Sequence, residues 1–445
     1  ERAAEGTLED QAAKRGAAAL RALDRRAERV HRPEPLDEAD LRAHTSRAMS
    51  LCTKLFDTMS YCFKLIDMLF TTPPLDGRER EVLDEIDGLR QTLRLQIRAP
   101  RRWIGSLRRL TFARAVQGSN TIEGYNATLE DVAAVIAGEE PLDADAETRL
   151  ALEGYRDAMT YVLQLAEDPH FHFDESLIRS LHFMMIRHDL SKNPGRWRPG
   201  AVYVRNDLTG AVVFEGPGAE VVPGLAGELV EAVNTPDETG ALVRAAMAHL
   251  NLVMIHPFSD GNGRMARCVQ TLVLARDAIL EPTFSSIEEY LGRNTQAYYD
   301  VLAEVGGGKW SPQRDARPWL RFCLTAHLRQ ARTLLARVKE SEELWERCTI
   351  EAQGAGLPAR VIPLLFNAAL GFRTQRSLYR ALADDEISEA MASRDLRAMV
   401  DAGLLAAIGE KRGRSYFPSE SLRAIGWEIR GGRPQQDDAD PFGVA

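Results

Sequence analysis

Twelve consecutive residues of this chain combine side chains that phosphate chemistry uses. They are His256-Pro257-Phe258-Ser259-Asp260-Gly261-Asn262-Gly263-Arg264-Met265-Ala266-Arg267. The stretch holds a base, a carboxylate, two flexible glycines and two arginines. A histidine at a helix end or a Gly-Asn-Gly turn usually has a structural role, but their combination in this order predicts a catalytic site.

The flanking sequence predicts a helix on each side of this stretch. Residues 241–255 carry apolar side chains at helical spacing, and Pro257 makes continuation of that helix unfavourable. Residues 265–280 again show a helical pattern, so 261–263 is predicted to be the turn into a helix N-terminus. Unpaired N–H groups and the helix dipole favour anions at such a terminus.

The charged residues of the stretch indicate what the anion is. Arg264 and Arg267 are three residues apart, so both guanidinium groups can approach one ligand. Asp260 would repel bare phosphates, but it suits a divalent cation that bridges a carboxylate and phosphates. These residue types predict a nucleotide polyphosphate bound together with Mg²⁺.

The pattern His-Pro-Phe-x-Asp-Gly-Asn-Gly-Arg-x-x-Arg resembles the complete signature of Fic-domain proteins. The resemblance implies a helical fold and transfer of AMP from ATP to a Tyr, Thr or Ser hydroxyl of a target protein, with release of pyrophosphate. It assigns His256 as general base and Asp260 as the Mg²⁺ ligand. By the same resemblance, the phosphates are bound by Gly261, Asn262, Gly263, Arg264 and Arg267.

The same residues also bear on the other activities known in this family. Kinase-type relatives carry lysine at the position of Gly263, so the glycine argues against transfer of the γ-phosphate. Phosphocholine transfer and removal of AMP are not excluded by the signature.

Ser119-Asn120-Thr121-Ile122-Glu123-Gly124 resembles the family's inhibitory motif, here placed before the signature. The helical pattern of residues 107–117 predicts that the motif continues this helix to about 124, and Thr128 is predicted to cap the next helix. The resemblance implies that Glu123 pairs with Arg267, with Ser119 in the same motif, and so competes with a phosphate. The enzyme would then be inhibited at rest.

Residues 196–217 predict a β-hairpin, with strands around Val202–Val204 and Val212–Phe214. The hairpin resembles the family's flap, which holds an extended segment of the target protein by adding it as a strand. Trp197, Tyr203 and Phe214 are predicted to pack within it. Asn294 and Tyr298 fall where relatives contact the nucleotide base, although helix packing explains the tyrosine equally well.

After a long charged helix that ends near Glu351, the chain resembles a winged helix: three helices and a basic turn, Lys411–Arg414. Such modules bind DNA with the third helix and the wing. The predicted DNA contacts are Arg394, Arg397, Arg412 and Arg414. Acidic residues such as Asp395 on the predicted third helix are unfavourable for DNA binding. Protein docking or a purely structural role therefore remains an open alternative.

The composition is that of a soluble, globular chain of 445 residues with 44% hydrophobic content and net charge −9, which gives no general attraction to nucleic acid. Neither a membrane span nor a signal pattern is found, so a cytoplasmic location is expected. Five scattered cysteines predict reduced, buried thiols. His170, His172, His182 and His188 lack a recognisable second ligand set, and solvated or helix-face positions are favoured over a metal site.

The fold class expected is mainly α, a Fic-type helical core with a β-hairpin flap followed by a small winged-helix domain. The helical spacing around residues 51–66 indicates core packing or a homodimer contact. The predicted divisions are a frayed or flexible segment 1–40, a helical region 41–99, a catalytic core 100–345, a winged helix 355–425 and an acidic tail 426–445. Two functions are consistent with this organisation, an autoinhibited AMP transferase and a DNA-binding regulator that senses a nucleotide.

Overall fold

Helices dominate the part of the protein that the structure describes. The computed structural model describes residues 69–98, 101–205, 209–235, 238–276, 282–383, 387–410, 414–432 and 439–443. The helices before the long one are α1 Gly77–Arg98, α2 Ile104–Ile122, α3 Leu129–Ile136, α4 Ala146–Ala166, α5 Glu175–Ile186, α6 Val222–Asn234, α7 Ala241–Ile255, α8 Asn262–Arg276, α9 Glu288–Arg293 and α10 Thr295–Gly306. From the long helix onward they are α11 Arg317–Gly354, α12 Ile362–Ala369, α13 Arg376–Leu382, α14 Glu389–Asp401 and α15 Glu420–Gly431.

Two antiparallel hairpins accompany the helices. The first pairs β1, Tyr203–Arg205, with β2, Val212–Glu215. The second pairs β3, Leu405–Ile408, with β4, Ser415–Pro418. A mainly helical fold with a small hairpin was expected from the sequence, and it is confirmed.

Helices α7 and α8 lie at the centre of the main core. Buried side chains occupy nearly every position of both helices, so neither has a solvent face. Trp319 of α11 packs fully buried beside them and donates its indole N–H to the Ala246 carbonyl at 2.7 Å. Since both helices are fixed by packing, the loop between them, residues 256–261, is anchored at both ends.

The 38-residue helix α11 joins the N-terminal and C-terminal parts of the described chain. At its start, Arg317 and Arg321 pair with the buried carboxylate of Glu79 in α1 at 3.1 and 2.9 Å. At its end, Leu344 and Cys348 enter the core of the C-terminal domain. Helix α11 therefore packs against both the N-terminal and the C-terminal parts of the described chain.

The C-terminal domain consists of α12, α13, α14, the β3–β4 hairpin and α15. Helix α15 follows the hairpin and continues to Gly431, past residue 425, where the sequence placed the end of the domain. The winged-helix assignment stays a prediction. Asp395 points inward, where it accepts two hydrogen bonds from Arg360 at 2.8 Å and one from Tyr379 at 2.9 Å. This carboxylate therefore adds no exposed acidic charge to α14.

The C-terminal domain also contacts the segment that follows the predicted inhibitory motif. Arg373 donates its backbone and side-chain N–H groups to Glu130 of α3 at 2.7 and 3.1 Å. Thr128 caps α3 as predicted, accepting a hydrogen bond from the Asp131 N–H at 3.1 Å. Helix α3 is thus held at its first turn by both parts of the protein.

Several predictions fall on residues outside the described ranges. These are the segment 1–40, the proposed packing or dimer stripe at 51–66, the hairpin loop 206–208, Cys52, Cys62 and Arg412. The other three cysteines, Cys268, Cys323 and Cys348, are free and buried as predicted. In the described part of the chain, no helix combines the length and apolarity of a membrane span.

Candidate active site

The loop between α7 and α8 places the predicted base beside a helix N-terminus. Helix α7 ends at His256, which adopts the left-handed conformation at φ +51°. Gly261 also has a positive φ, +75°, and a Cβ there would come within 2.9 Å of Ile186. Both features disfavour a larger residue, so glycine is the residue that suits this turn best. The helix end and the turn were both predicted from the sequence.

The imidazole of His256 has a defined tautomer. Its Nδ1 lies 3.1 Å from the Val253 carbonyl, which can only accept, so Nδ1 carries the proton. The lone pair is therefore on Nε2, the nitrogen that can act as a base. Burial lowers the pKa of His256 below its usual value, with an opposing contribution from the Val253 carbonyl, so the neutral form is favoured.

The side chain of Asn262 holds the loop rather than a ligand. Its Oδ1 accepts from the Phe258 N–H at 2.9 Å, and its Nδ2 donates to the Phe258 carbonyl at 3.0 Å. What Asn262 offers to an anion is its backbone N–H, at the first position of α8.

His182 contacts the same loop, residues 256–261, through Asp260 and Phe258. The Gly195 N–H donates to its Nδ1 at 2.8 Å, so its Nε2 carries the proton and donates to the Asp260 carbonyl at 3.0 Å. The ring stacks on Phe258 with centroids 3.7 Å apart. Burial lowers the pKa of His182 to about 4, which keeps it neutral. It is therefore a buried residue that positions the loop, not a solvated side chain.

The carboxylate of Asp260 is one-third exposed at the edge of the loop. One oxygen accepts from the Gly261 N–H at 2.6 Å, and the other lies 3.5 Å from the Lys192 ammonium. No group of three or more His, Cys, Asp or Glu side chains in the described ranges could hold a metal ion. A single carboxylate does suit Mg²⁺, which is commonly held by one or two carboxylates together with substrate phosphates.

Arg264 is a buried cation with unused donors. The residue is 1% exposed, and its Nε and Nη1 have no hydrogen-bond partner in the described structure. The Tyr125 ring lies under the guanidinium at 5.2 Å. Burying a charged donor without a partner is costly, so an anion such as a phosphate would relieve this arrangement.

Arg267 is occupied by the predicted inhibitory motif. Ser119 accepts from Arg267 through its hydroxyl at 2.7 Å and its carbonyl at 2.9 Å, and a Glu123 oxygen accepts at 2.7 Å. Burial works against the charge of Arg267, but the Glu123 carboxylate, together with Tyr298 and Tyr155, outweighs burial and holds the pKa of Arg267 above its ordinary value. A Cβ at Gly263 would lie 2.5 Å from this carboxylate. The glycine therefore leaves the space that Glu123 fills.

The residues predicted to contact the nucleotide base are engaged elsewhere. Tyr298 is 1% exposed, and its hydroxyl lies 3.0 Å from His249 Nε2 in a buried network. Asn294 donates to the Tyr290 carbonyl at 2.8 Å. Tyr299, in contrast, is 46% exposed and donates to the Ile122 carbonyl at 2.9 Å. The base contacts remain a prediction.

The predicted flap lies next to the loop of His256, the predicted general base. Phe214 is buried as expected and Trp197 packs on Phe258 at 5.1 Å, but Tyr203 is 47% exposed, so its packing role was wrong. The Glu215 N–H donates to the Gly308 carbonyl at 3.0 Å, which ties β2 to the chain after α10. Within the described residues β1 pairs with β2 alone, so its outer edge is open.

Arg198 joins the flap to the His256 loop, a role that no sequence pattern indicated. The residue is 4% exposed and donates to the carbonyls of His256 at 2.8 Å, Gly200 at 2.6 Å and Pro217. Its own N–H donates to the Pro257 carbonyl at 2.9 Å. One guanidinium thus fixes both ends of the flap relative to the loop.

Replacing Arg198 with alanine is expected to loosen the flap and the His256 loop together. Three charge-assisted hydrogen bonds are lost, and the unfolding free energy should fall by about 3 kcal/mol. Hydrogen exchange should accelerate at residues 199–205 and 256–261, measured by mass spectrometry. Arg196→Ala is the matched control, since Arg196 is exposed and lies only two residues before Arg198. Equal protection in Arg198→Ala and wild type would contradict the positioning role.

The region that contains this site matches a known domain family. The Fic/DOC family model matches residues 172–274. A protein adenylyltransferase Fic from Nematostella vectensis is 25% identical over 270 residues, which cover 56% of this chain and 55% of that protein. A protein adenylyltransferase Fic from Aedes aegypti is 41% identical over 78 residues, 18% of this chain and 13% of that protein. The chain thus spans about half the length of the first relative and less of the second.

A solved structure shows the same fold. The crystal structure of a Fic family protein from Desulfovibrio desulfuricans G20 matches with a TM-score of 0.50 and 23% identity, covering 82% of this chain and 99% of that one. The matched region 172–274 contains His182, Arg198 and the whole loop from His256 to Arg267. This chain therefore contains a Fic domain at residues 172–274.

Proposed function

We propose that the protein transfers AMP from ATP to a hydroxyl side chain of a target protein. The observation that carries this proposal is the combination of two features in the segment 256–267: a neutral His256 with its Nε2 lone pair available, and a buried Arg264 whose Nε and Nη1 have no hydrogen-bond partner in the described residues. A base beside an anion site is what attack of a hydroxyl on a phosphate needs. The names of the similar proteins support the same reaction.

In the proposed step, His256 Nε2 takes the proton from the target hydroxyl as its oxygen attacks the α-phosphorus of ATP. The new P–O bond joins the target to AMP, and the bond between the α-phosphorus and the bridging oxygen breaks, so that pyrophosphate leaves. Arg264 and the N–H groups at the start of α8 stabilise the charge on the phosphates. The target would be a Tyr, Thr or Ser side chain.

Asp260 is the residue proposed to hold Mg²⁺. A bound Mg²⁺ would neutralise phosphate charge and fix the orientation of the triphosphate. Lys192, 3.5 Å from Asp260, is a second cation at this edge and lies near enough to interact with the same anionic substrate.

The proposed docking site for the target is the open edge of β1. An extended segment added there would form main-chain hydrogen bonds and place its hydroxyl beside the loop that Arg198 connects to the flap. The exposed side chains of Tyr203, Val212 and Val213 on this hairpin provide apolar contact area.

The proposed resting state is inhibited. Arg267 is the second signature arginine, and Glu123 together with Ser119 occupies two of its nitrogens. A phosphate that needs this guanidinium must displace a carboxylate, and two anions cannot share the site without repulsion. Release of Glu123 would therefore precede productive binding of the triphosphate.

The test is incubation of the full chain and a cell lysate with ATP labelled on the α-phosphate or on the γ-phosphate, with Mg²⁺. AMP transfer predicts protein-bound label from the α-labelled ATP only. Label from γ-labelled ATP alone would instead identify kinase chemistry. If neither labels protein, even with Glu123 replaced, AMP transfer is rejected, and phosphocholine transfer or removal of AMP from a modified protein becomes the activity to assay.

A second candidate function is DNA binding by the C-terminal domain. A concave surface with a volume of about 570 Å³ is lined by arginines of α13, α14 and the region of β4, namely Arg376, Arg380, Arg397 and Arg414. Glu389 pairs with Arg376 at 3.2 Å and Arg380 at 3.6 Å, which leaves Arg397 and Arg414 as the cations for phosphate. Arg394 is exposed on the same helix but does not line the concave surface.

Duplex DNA of about 30 base pairs is expected to bind at low salt, with affinity that falls as salt rises. Arg397→Gln and Arg414→Gln should each weaken binding and reduce the salt slope by about one. The control is Arg423→Gln, an exposed arginine of α15 outside this surface. Fluorescence anisotropy measures both quantities. Absence of binding at low salt would exclude this function.

A further inference from the structure

A cavity lies between helix α2, helix α11 and the C-terminal domain. Its volume is about 300 Å³. Helix α2 carries Ser119 and ends at its C-cap residue, Glu123, and it is called the inhibitory helix here. Helix α2 contributes Leu107, Leu110 and Arg114, and the C-terminal domain contributes Phe366 and Ile429. This interdomain cavity is separate from the loop 256–267, none of whose residues lines it. The volume is at the lower end of the range for small-molecule sites, which often lie between domains.

One wall of the interdomain cavity is apolar and belongs to well-packed cores. Leu110, Leu344 and Phe366 are each 6% exposed or less and are part of the C-terminal core cluster. Leu107 belongs to the neighbouring cluster formed by α1, α2 and α11. A ligand that fills this space would gain apolar contact on several sides.

A second part of the lining, called the basic wall here, is strongly basic. Four arginines line it, Arg114, Arg293, Arg337 and Arg430. Among the described residues, the acidic groups at this wall are Glu340 and the adjacent Glu289. Four cations against two carboxylates leave an excess of two positive charges.

The carboxylate of Glu289 is shared by three of these arginines. Arg337 binds both of its oxygens at 2.6 Å, Arg293 binds one at 2.6 Å, and Arg114 lies 4.0 Å away. Burial lowers the pKa of Arg114 to about 10, and the neighbouring Arg337 adds to this effect. Arg114 is thus a desolvated cation with an incomplete ion pair, which an added anion would stabilise.

Arg430 completes the basic wall from the C-terminal domain. Its Nε donates to the Gly426 carbonyl at 2.9 Å, and in the described residues no carboxylate pairs with its guanidinium. An anion in the interdomain cavity could therefore contact Arg114 of α2 and Arg430 of α15 together. Bidentate arginine pairing suits a carboxylate or a phosphate.

We propose that the interdomain cavity binds a small amphiphilic anion, an alkyl or aryl chain that ends in a carboxylate or phosphate. A neutral apolar molecule would leave the arginines without an anion, and a bare phosphate would leave the apolar wall empty. The volume accommodates on the order of ten non-hydrogen atoms, since one water takes about 30 Å³ in the liquid. The bound ligand would bridge the inhibitory helix and the C-terminal domain.

The test compares three ligands on the full chain: octyl phosphate, octanol and inorganic phosphate. Trp345 reports occupancy through its fluorescence, because its ring lies 5.9 Å from that of Phe366 in the cavity wall. Octyl phosphate is expected to give a saturable change below its micelle concentration, at least tenfold tighter than either of the other ligands, and to raise the Tm by a few degrees. Equal binding of octanol, or no saturable change with octyl phosphate, would overturn the proposal.

Variants locate the binding site. Arg114→Gln and Arg430→Gln should each weaken octyl phosphate at least tenfold, and Arg423→Gln should not. Arg430 is exposed, so Arg430→Gln keeps the test valid if Arg114→Gln does not fold. Unchanged binding in Arg430→Gln would overturn the assignment to this cavity. These measurements need no enzymatic activity, so they stand whether or not the AMP transfer proposal holds.

Discussion

Replacing Glu123 with glycine is expected to raise the rate of AMP transfer by roughly 10- to 100-fold. The substitution removes the carboxylate that bonds Arg267 at 2.7 Å and frees that guanidinium for a phosphate. A hydrogen bond to a charged group contributes about 1.5–3 kcal/mol, which corresponds to this range of rate. The measurement is incorporation of AMP from α-labelled ATP, for wild type and variant at the same protein concentration.

The same substitution should lower stability. Arg267 has no exposed surface on its side chain, whereas that of Glu123 is 19% exposed, so the pair is only partly shielded from solvent. Losing one partner of a fully buried pair costs about 3–5 kcal/mol, and the partial exposure reduces the expected loss to about 1–3 kcal/mol. A variant that gains activity and loses stability fits inhibition by an ion pair.

Replacing Glu123 with glutamine separates the effect of the negative charge from the effect of the hydrogen bond to Arg267. Glutamine keeps the length of the side chain and an oxygen that can accept from Arg267, but it does not carry the negative charge. Activation between that of wild type and that of Glu123→Gly is expected. If Glu123→Gly labels no faster than wild type, Glu123 has no inhibitory role.

Replacing His256 with alanine in the Glu123→Gly protein is expected to reduce AMP transfer by about 10²- to 10⁴-fold, the usual contribution of a general base. The tautomer set by the Val253 carbonyl leaves Nε2 available to take the proton. His182→Ala should also reduce the rate, but by displacing the Asp260 carbonyl that it bonds at 3.0 Å. A rate in the His256→Ala variant that equals its parent would remove His256 from the mechanism.

The pH profile of Glu123→Gly gives an independent check on the base. Burial holds the pKa of His256 below its usual value, so the neutral, active form prevails at neutral pH. The rate should be level above pH of about 6.5 and fall as the pH drops through the lowered pKa, because protonation of Nε2 removes the base. Glu123 favours the charged form of His256, so its removal should move the fall to lower pH.

The sequence predicted those parts of the site that depend on local signals. Pro257 and the glycines fixed where α7 ends and α8 begins, and Thr128 predicted the start of α3. The flap followed from alternating apolar residues on both sides of a polar loop. In each case the physical cause lies within a few residues along the chain. Backbone preferences and local hydrogen bonds can therefore be predicted from the residue types.

The parts that the sequence did not reveal depend on contacts between distant segments. The Arg198 guanidinium bonds carbonyls up to 58 residues away, and His182 bonds one 78 residues away. Tyr298 is turned into the core by a hydrogen bond to His249, 49 residues earlier. The residue type alone does not show whether an arginine or histidine will be buried or exposed. Only the folded structure shows whether such a side chain positions a loop or lies in solvent.

The most direct test of AMP transfer is the intact mass of wild type, Glu123→Gly and the Glu123→Gly/His256→Ala double variant after incubation with Mg²⁺ and ATP, with lysate proteins followed in parallel by α-labelled ATP. The predicted result is addition of AMP, to the enzyme itself or to a lysate protein, by Glu123→Gly and not by the double variant. Equal addition by both variants, or none by any protein, would contradict the central claim that His256 drives AMP transfer and Glu123 restrains it.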